Sequence, residues 1–535
     1  MDSRFKPLLL SLTAGLFLSA SWYWHLSILL FFAFIPLLIL EDHFRPGSAS
    51  RSQLKLFGLI YLSFFIWNIL VTWWIVYASF GGACMAILCN SLLMSLVFLI
   101  FSAIKSRLNK SFGIWFLIPL WIAWEHIHTL WDITWPWLTL GNVFAFNHQW
   151  VQWYEFTGTS GGTLWVLATN ILVYNTLKNK SASKINSKPV YRIAAIFILP
   201  ILLSYSIYFI RKAGEEITKR SIPVVVVQPN MDPYNEKFSV SYAQQFTKML
   251  DLVRGTIHPE TKYLVLPETF ITGLNGDLNE ESINNYREIN WFRDSLLLKF
   301  PNLKIVTGGN TYRFYHQENE VTATARLDQS SGLHYDVYNS AIYIDPVHTE
   351  VYHKSKLVPG VERMPFPALL KPLESMAIEL GGTMGSLGTQ EERSVFKDRE
   401  QGVAIAPVIC YESIYADYVA EYVRNGANLI FIITNDGWWQ NTPGYIQHLN
   451  FSRLRAIENR REIARCANTG ISCFVDRYGN FSQTTDWWKV AVIEKNMTVN
   501  NSLTFFSRFG DLLSYLSIVL SSTLLIWALY VRLRS

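Results

Sequence analysis

Three ionisable side chains with complementary chemistry each stand at or just after the end of a short apolar run. "LVLPE" ends at Glu268, "VYHKSKLVP" carries Lys354, and "GVAIAPVIC" ends at Cys410. A thiol needs a proton acceptor before it attacks a carbonyl, and the oxyanion that forms needs a cation or N–H donors. A carboxylate, an ammonium and a thiol brought together would therefore support acyl transfer through a thioester.

Each of these residues also has an ordinary explanation. Glu268 could be a solvated loop carboxylate, and Lys354 could be a surface lysine whose stem packs on apolar neighbours. Cys410 could be a buried core thiol or one half of a disulfide, since free cysteine is among the most buried residue types. The alternatives stay open until the elements that carry these residues are considered.

The residues from 220 to 500 alternate between apolar strands and helical patterns. "IPVVVV", "LKIVTGG", "NSAIYI" and "NLIFIITND" are continuous apolar runs of strand length, which are typical of sheets covered on both faces. Helical patterns at 283–299, 413–424 and 446–466 are interspersed with them. The alternation predicts a layered α/β domain, in which reactive side chains tend to lie where strands end.

The remainder of the chain has the composition of a membrane domain. Half of the 535 residues are hydrophobic, and a helix needs about 20 apolar residues to cross a bilayer. The pattern predicts a polytopic α-helical domain at 1–211 with about seven spans, and a final span after the α/β domain. The eight candidate spans are 6–21, 24–40, 54–79, 82–104, 112–130, 160–178, 190–210 and 512–532.

Lys and Arg are distributed unevenly among the connections between these spans. The two termini and every second connection carry them, whereas 22–23, 80–81 and 131–159 carry none. Because positively charged loops stay in the cytoplasm, both termini are predicted to be cytoplasmic and the α/β domain to lie on the opposite side of the membrane. The net charge of +5 belongs largely to this pattern, so no nucleic-acid partner is predicted.

The five cysteines form no cofactor motif. Cys84 and Cys89 lie in a predicted span, and no Cys/His spacing resembles a zinc site. No phosphate-binding glycine pattern is present either, and no metal or cofactor is predicted. Cys466 and Cys473 flank a turn, and their pairing is left open because an exported domain permits disulfides.

The order Glu268, Lys354, Cys410, each at a strand end, resembles the Glu-Lys-Cys triad of the nitrilase superfamily. "CYE" at the cysteine, "NDGWW" at 435–439 and "YxKxxLVPxxExxP" at 352–365 resemble a narrower group, the apolipoprotein N-acyltransferases. The predicted spans and "WPWLTLG" at 135–141 are similar to that family too. The resemblance implies an αββα sandwich for the α/β domain.

The resemblance also implies roles for individual residues. Glu268 would be the general base, Cys410 the nucleophile, and Lys354 the cation that stabilises the oxyanion. Five further residues would support them. Glu362 would hold Lys354 charged and oriented, Asn339 would be a polar support, and the Tyr411 backbone N–H would be a second oxyanion donor. The last two match family positions: Glu412 follows the nucleophile, and Trp438 follows the Asn-Asp pair.

One departure concerns the residues before Glu362. The family usually has a bulky residue and then glycine there, whereas here the order is Gly360-Val361. The spacing from Lys354 to Glu362 is kept, so the departure bears on the backbone of the loop more than on the chemistry. "WQNTPG" at 439–444 also differs from the usual continuation.

The implied reaction transfers an acyl chain from a membrane phospholipid, through a Cys410 thioester, to the N-terminal α-amine of a diacylglyceryl apolipoprotein. The enzyme would be a monomer in the bacterial inner membrane with its catalytic domain in the periplasm. A membrane-tethered nitrilase-like amidase is the nearest alternative. A non-catalytic lipid-binding scaffold is a second, although a scaffold would be expected to lose one of the three residues.

Three other segments carry weaker expectations. The aromatic-rich loop 131–159 is interpreted either as an interfacial belt or as simple anchoring. Residues 366–400 mix apolar residues with glycines and could form a mobile lid or acyl-chain wall, or a disordered insertion. The arginines of the 446–466 helix are expected to form a solvated or ion-paired face.

The charge pattern makes a prediction that is independent of the chemistry. A single cysteine introduced into 181–187 should react only with reagents that reach the cytoplasm, because that connection follows the positive-inside rule. One introduced into 278–282 should react with impermeant reagents added to the periplasmic side. The reverse labelling pattern in intact cells would contradict the predicted orientation.

Overall fold

The computed structural model describes residues 5–23, 26–44, 50–108, 112–179, 188–214, 220–232, 240–271, 276–366 and 386–534. The chain divides into two compact units. The first comprises Met1–Val76, Phe80–Gly214 and Phe509–Ser535, and the second comprises Tyr77–Ser79 and Glu215–Arg508. The interior of the predicted lid, 367–385, lies outside the described residues.

The first unit is helical. Among the described residues, four helices are long and apolar enough to cross a membrane, at Arg51–Tyr77, Phe80–Lys105, Tyr191–Ala213 and Leu512–Val531. The α-helices of this unit run over Lys6–Tyr23, Leu30–Ala33, Ile35–His43, Ser50–Thr72, Phe80–Lys105, Leu117–Ile127, Tyr154–Asn179, Lys188–Ala213 and Leu512–Arg534. This unit fits the predicted membrane domain, and its remaining apolar helices are shorter, interrupted or less apolar than those four.

The predicted span at 24–40 is broken into two helices. Leu30–Ala33 and Ile35–His43 meet at Phe34, and the side chain of Asn170 contacts the backbone there. Its amide nitrogen donates to the Leu30 carbonyl at 2.9 Å and its oxygen accepts from the Phe34 N–H at 2.9 Å. Backbone groups without water or a helical partner are costly in an apolar setting, so Asn170 stabilises the break.

The aromatic loop 131–159 is partly buried within the helical unit. It contains three short 3₁₀ helices, Pro136–Leu138, Leu140–Ala145 and His148–Trp150. Trp137 and Tyr154 are fully buried, and the rings of Trp135 and Trp137 stack with centroids 5.4 Å apart. Part of this aromatic cluster therefore packs inside the unit, and the interpretation as an interfacial belt stays a prediction.

The second unit contains two β-sheets. The strands are β1 Ser221–Gln228, β2 Tyr263–Val265, β3 Leu278–Asn279, β4 Lys304–Tyr315, β5 Arg326–Leu327, β6 His334–Ile344, β7 Thr349–His353, β8 Phe396–Asp398, β9 Val403–Ile409, β10 Leu429–Thr434, β11 Ile463–Ala467, β12 Cys473–Val475, β13 Phe481–Ser482 and β14 Ala491–Thr498. One sheet has the order β14-β1-β2-β4-β6-β5, with β3 on β4 and β7 on β6, and the other has the order β13-β12-β11-β10-β9-β8.

The two sheets face each other and helices cover them. The Tyr263 hydroxyl on β2 donates to Asp398 on β8 at 2.7 Å, and the Tyr263 ring packs on Phe431 of β10. Helices Tyr242–Val253 and Arg287–Phe292 lie on the first sheet, and Ala416–Arg424 and Pro443–Asn459 belong with the second. This is the predicted αββα sandwich.

The arginine-rich helix is shorter than predicted and its arginines are not solvated. The helix ends at Asn459, where Arg460 takes a left-handed conformation with φ 49°, and β11 begins at Ile463. The side chains of Arg455, Arg461 and Arg465 are fully buried. They pair with buried carboxylates or carbonyls, for example Arg455 with Glu458 at 2.8 Å and Arg461 with the Ala427 carbonyl at 2.9 Å. The expectation of a solvated face is therefore wrong, whereas the expected ion pairing is found for Arg455 and Arg465.

Cys466 and Cys473 are both free. Cys473 lies opposite Arg465 in the antiparallel pairing of β11 and β12, so Cys466, one residue on, points to the other face of the sheet. Its Sγ donates to the Val227 carbonyl at 3.2 Å. The pairing left open by the sequence is excluded by this geometry.

All five cysteines should consequently be thiols in the folded protein. Unfolding in an alkylating denaturant without reductant should add five alkyl groups by intact mass, and prior reduction should not change that number. A mass lower by two alkyl groups in the unreduced sample would show a disulfide and contradict the strand register.

Candidate active site

Glu268 is positioned by a sharp turn after β2. Thr269 has φ 51°, and Gly308 of β4 lies against this turn so closely that an added Cβ would be 2.4 Å from the Thr269 nitrogen and 2.6 Å from the Glu268 Cα. The Asn435 backbone N–H, at the end of β10, donates to Glu268 Oε2 at 3.0 Å. The carboxylate is buried between the ends of strands from both sheets.

Lys354 follows β7 and is fully buried between two carboxylates. Its Nζ lies 2.9 Å from Glu268 Oε1 and 2.8 Å from Glu362 Oε1. Burial alone would lower the pKa of Lys354, but the charges of Glu268 and Glu362 outweigh it and raise that pKa above its usual range. Lys354 is therefore a cation wherever the protein is folded near neutral pH.

The two carboxylates are bridged a second time by Asn339 of β6. Its side-chain amide donates to Glu268 Oε1 at 2.8 Å and to Glu362 Oε1 at 3.1 Å. The second oxygen of Glu362 accepts the Val358 N–H at 2.8 Å. Each of the four carboxylate oxygens of Glu268 and Glu362 thus has a hydrogen-bond donor. A buried ion pair needs such donors, because otherwise the loss of hydration would destabilise the fold.

The reversed Gly360-Val361 order suits this loop. Gly360 adopts φ 76°, a left-handed conformation that favours glycine. Its N–H donates to the Arg363 carbonyl at 2.8 Å, and the Glu362 N–H donates to the Val358 carbonyl at 2.9 Å. The turn therefore returns Glu362 to Lys354 with glycine one position earlier than the family usually places it.

Cys410 is the first residue of a 3₁₀ helix, Cys410–Ile414, that follows β9. It has φ 47°, a conformation that costs about 1–2 kcal/mol in a residue with a Cβ. Burial and the charge of Glu268 raise the pKa of the Cys410 thiol, and Lys354 opposes them. The thiol is thus neutral at rest, and its proton must be taken by a nearby base as it reacts.

Glu412 connects the turn of the cysteine to the strand end of the lysine. Its carboxylate accepts the Ile409 N–H at 2.9 Å and the Ser355 N–H at 2.8 Å. The hydroxyls of Tyr352 and Tyr418 donate to the same carboxylate at 2.8 and 2.6 Å. Because Ile409 precedes Cys410 and Ser355 follows Lys354, this carboxylate holds the two reactive residues in register.

Comparison with known proteins bears on both units. A family model described as carbon-nitrogen hydrolase matches residues 224–501, and one described as apolipoprotein N-acyltransferase N-terminal domain matches residues 14–172. A protein named apolipoprotein N-acyltransferase from Chlorobaculum tepidum is 29% identical over 97% of this chain and 96% of its own. One of the same name from Rickettsia prowazekii is 25% identical over 77% of this chain and 75% of its own.

The chain belongs to the carbon-nitrogen hydrolase family. The first match alone spans more than half of the sequence and includes every residue of the network around Lys354. Among solved structures, Saccharomyces cerevisiae Nit3, a member of branch 10 of the nitrilase superfamily, covers 53% of this chain and 92% of its own with 16% identity and a TM-score of 0.36. The match of residues 14–172 and the relatives named apolipoprotein N-acyltransferase support lipoprotein N-acylation at a bacterial membrane.

The predicted site residues are largely brought together. Glu268, Lys354, Glu362 and Asn339 form one hydrogen-bonded network, and the charges of Glu268 and Lys354 act on Cys410. Of the other supporting residues, Glu412 spans the site as described. The Tyr411 ring is buried against Tyr415, with centroids 5.4 Å apart, and Trp438 is half-buried in the turn Asp436–Trp439. Their catalytic roles stay predictions.

A second buried cluster next to Cys410 is absent from the sequence-based predictions. Asp436 accepts from Thr434 Oγ1 at 2.9 Å and from Arg465 at 2.5 Å, and lies 2.9 Å from His448 Nδ1. Burial alone would raise the pKa of Asp436, but Arg465 and His448 hold it below the usual range. The "NDGWW" motif contains Asp436, yet nothing in the motif indicates its partners, which lie 12 and 29 residues further along the chain.

The contact of Gly308 with the Glu268 turn makes a prediction. Gly308→Ala should displace that turn, lower the free energy of unfolding by about 1–3 kcal/mol through overpacking, and weaken acylation of Cys410. Gly255→Ala is the matched control, because an added Cβ there meets no atom within 4 Å. Equal thermal stability and acylation in the two variants would contradict the close approach.

Proposed function

We propose that Cys410 carries an acyl group from a membrane phospholipid to the N-terminal amine of an apolipoprotein, in two chemical steps. The observation that carries this proposal is the arrangement of a permanent cation and a general base around a neutral thiol. Lys354 contacts the Glu268 carboxylate directly, and both act on the Cys410 thiol.

In the first step Glu268 accepts the proton of the Cys410 thiol as its sulfur attacks the ester carbonyl of the phospholipid. The C–S bond forms, and the negative charge that develops on the carbonyl oxygen is stabilised by Lys354 and by the Tyr411 N–H. The C–O bond to the glycerol then breaks. The departing alkoxide takes the proton from Glu268, which leaves a lysophospholipid and a thioacyl enzyme.

In the second step the α-amine of an apolipoprotein attacks the thioester. The acceptor's N-terminal cysteine already carries a diacylglyceryl thioether. Glu268 accepts a proton from the amine while the C–N bond forms, and the oxyanion again lies against Lys354. The C–S bond breaks, and the thiolate recovers its proton from Glu268, so that the enzyme returns to its starting state.

The donor and the acceptor both belong to a membrane, and two features support this assignment. Within its described ranges, the first unit contains four helices long and apolar enough to cross a bilayer. The distribution of Lys and Arg among the connections favours an inner-membrane protein whose catalytic unit lies in the periplasm, with both termini in the cytoplasm. We propose a monomer, since one chain supplies every residue of the site.

The thioacyl enzyme can be tested for directly. Purified protein incubated with phospholipid vesicles, without acceptor, should gain the mass of one acyl chain on Cys410. Glu268→Gln should lower the loading rate about 100- to 10,000-fold, because glutamine keeps the shape but accepts no proton. Cys410→Ser should not load measurably, since a serine hydroxyl is far less acidic than a thiol and gives its proton to Glu268 much less readily.

Cys84→Ser serves as the matched control, because Cys84 belongs to the first unit and should load normally. If the wild-type protein gained no acyl group while still binding lipid, the scaffold alternative would be favoured. If the wild-type protein hydrolysed small amides instead, the amidase alternative would be favoured.

A further inference from the structure

The carbonyl of Cys410 lies within hydrogen-bond distance of two side chains that the proposed mechanism does not use. The Ser413 hydroxyl donates to this oxygen at 2.7 Å, and His448 Nε2 lies 3.2 Å from it. Ser413 Oγ and His448 Nε2 are themselves 2.8 Å apart. Ser413 and His448 are buried to within 1% of complete exclusion from solvent, so no bulk water competes for the Cys410 carbonyl from this side.

The imidazole of His448 is itself held rigidly. Its Nδ1 is 2.9 Å from Asp436 Oδ1, and the other carboxylate oxygen accepts from Arg465 at 2.5 Å. An ionised carboxylate can only accept hydrogen bonds, so Nδ1 is the donor in this contact. Donation from Nε2 to the Cys410 carbonyl needs a second ring proton, so the role described below belongs to the doubly protonated imidazole, whose charge faces the Asp436 carboxylate. The ring orientation is thereby fixed by a buried ion pair, and Nε2 is directed at Ser413 and the Cys410 carbonyl.

Fixing the Cys410 carbonyl also fixes the Tyr411 N–H. The two groups belong to one peptide unit, which is planar and trans, so the N–H points opposite to the C=O. Cys410 is in a left-handed conformation, and such a strained residue persists only when its surroundings over-determine it. Among the described residues, the side chains of Ser413 and His448 contact this carbonyl and restrain the peptide against rotation.

We infer that His448, supported by Asp436 and Arg465, acts with Ser413 as a positioning residue that orients the Cys410–Tyr411 peptide so that its N–H serves the oxyanion. Neither side chain has to touch the substrate. Hydrogen bonds to the carbonyl also polarise the peptide and strengthen the N–H as a donor. This inference rests on the proposed function, because it assigns a role only within a reaction that passes through an oxyanion at Cys410.

Two substitutions separate the contacts of the imidazole. The amide nitrogen of glutamine reaches about as far as Nε2, so His448→Gln can still donate to the Cys410 carbonyl but loses the contact with Asp436. The shorter amide of asparagine reaches only as far as Nδ1, so His448→Asn keeps Asp436 and loses the carbonyl. Loading of Cys410 from phospholipid vesicles should fall about 100-fold in His448→Asn, the scale of one lost oxyanion donor, and much less in His448→Gln.

The rate at which iodoacetamide alkylates Cys410 distinguishes the proposed role from a general structural defect, because such a defect would change this rate as well. That reaction consumes the Cys410 thiol but forms no oxyanion. Both variants should therefore alkylate Cys410 within about threefold of the wild-type rate, since neither changes Glu268 or Lys354. Normal loading in His448→Asn, a greater loss in His448→Gln than in His448→Asn, or parallel losses of loading and alkylation would each overturn the inference.

If the His448 variants do not fold, Ser413→Ala carries the test, since it removes the other donor to the same carbonyl. Its loading should fall while its alkylation is retained, and unchanged loading would overturn the inference. Failure of the proposed function is distinguishable, because wild-type protein would then not load from phospholipid. The variants would in that case be compared with a p-nitrophenyl ester, which acylates Cys410 through the same kind of oxyanion.

Discussion

The buried ammonium of Lys354 is the interaction on which the catalytic unit depends. Removing a charge from water costs several kcal/mol, and a buried pair recovers this only with close geometry and satisfied partners. Lys354 has two carboxylates within 2.9 Å, and those carboxylates in turn accept from Asn339, Val358 and Asn435. One cation thus restrains the turn after β2, the loop that contains Glu362, the turn after β10, and strand β6.

This arrangement explains how a neutral thiol can react in a buried site. The two carboxylates already more than neutralise the positive charge of Lys354, so a thiolate would add a third negative charge. Burial and the charge of Glu268 accordingly raise the pKa of Cys410. Moving the thiol proton to Glu268 leaves the total charge unchanged, because one negative group replaces another beside Lys354. The proposed reaction therefore needs no separation of charge across the site and no water to stabilise it.

The site is held by two independent sets of buried contacts. Glu412 connects the backbone next to Lys354 with the backbone next to Cys410, while Asp436, His448 and Arg465 hold the other side of the cysteine turn. Both sets consist of charged or polar groups that are almost fully excluded from solvent. In a low-dielectric interior such contacts are strong when every member is satisfied, so they can maintain the left-handed backbone of Cys410.

Local patterns were enough to predict the strands and their reactive ends. The runs before Glu268 and Cys410 are continuous and apolar, and an ionisable residue directly after such a run is a local signal. The division into an apolar helical part and an α/β part followed from hydropathy in the same way. The burial of Arg465 could not be predicted, because an arginine is almost never fully buried unless it is paired.

Such burial depends on partners far away in the chain. Arg465 lies inside a strand because Asp436, 29 residues earlier, neutralises it there, and Glu268 meets Lys354 across a separation of 86 residues. The helix that contains His448 ends at Asn459 rather than continuing through the arginines, since the next residues pair with β10. A single sequence records each residue's own preference, whereas the free energy of a buried charge is set by whichever groups folding places around it.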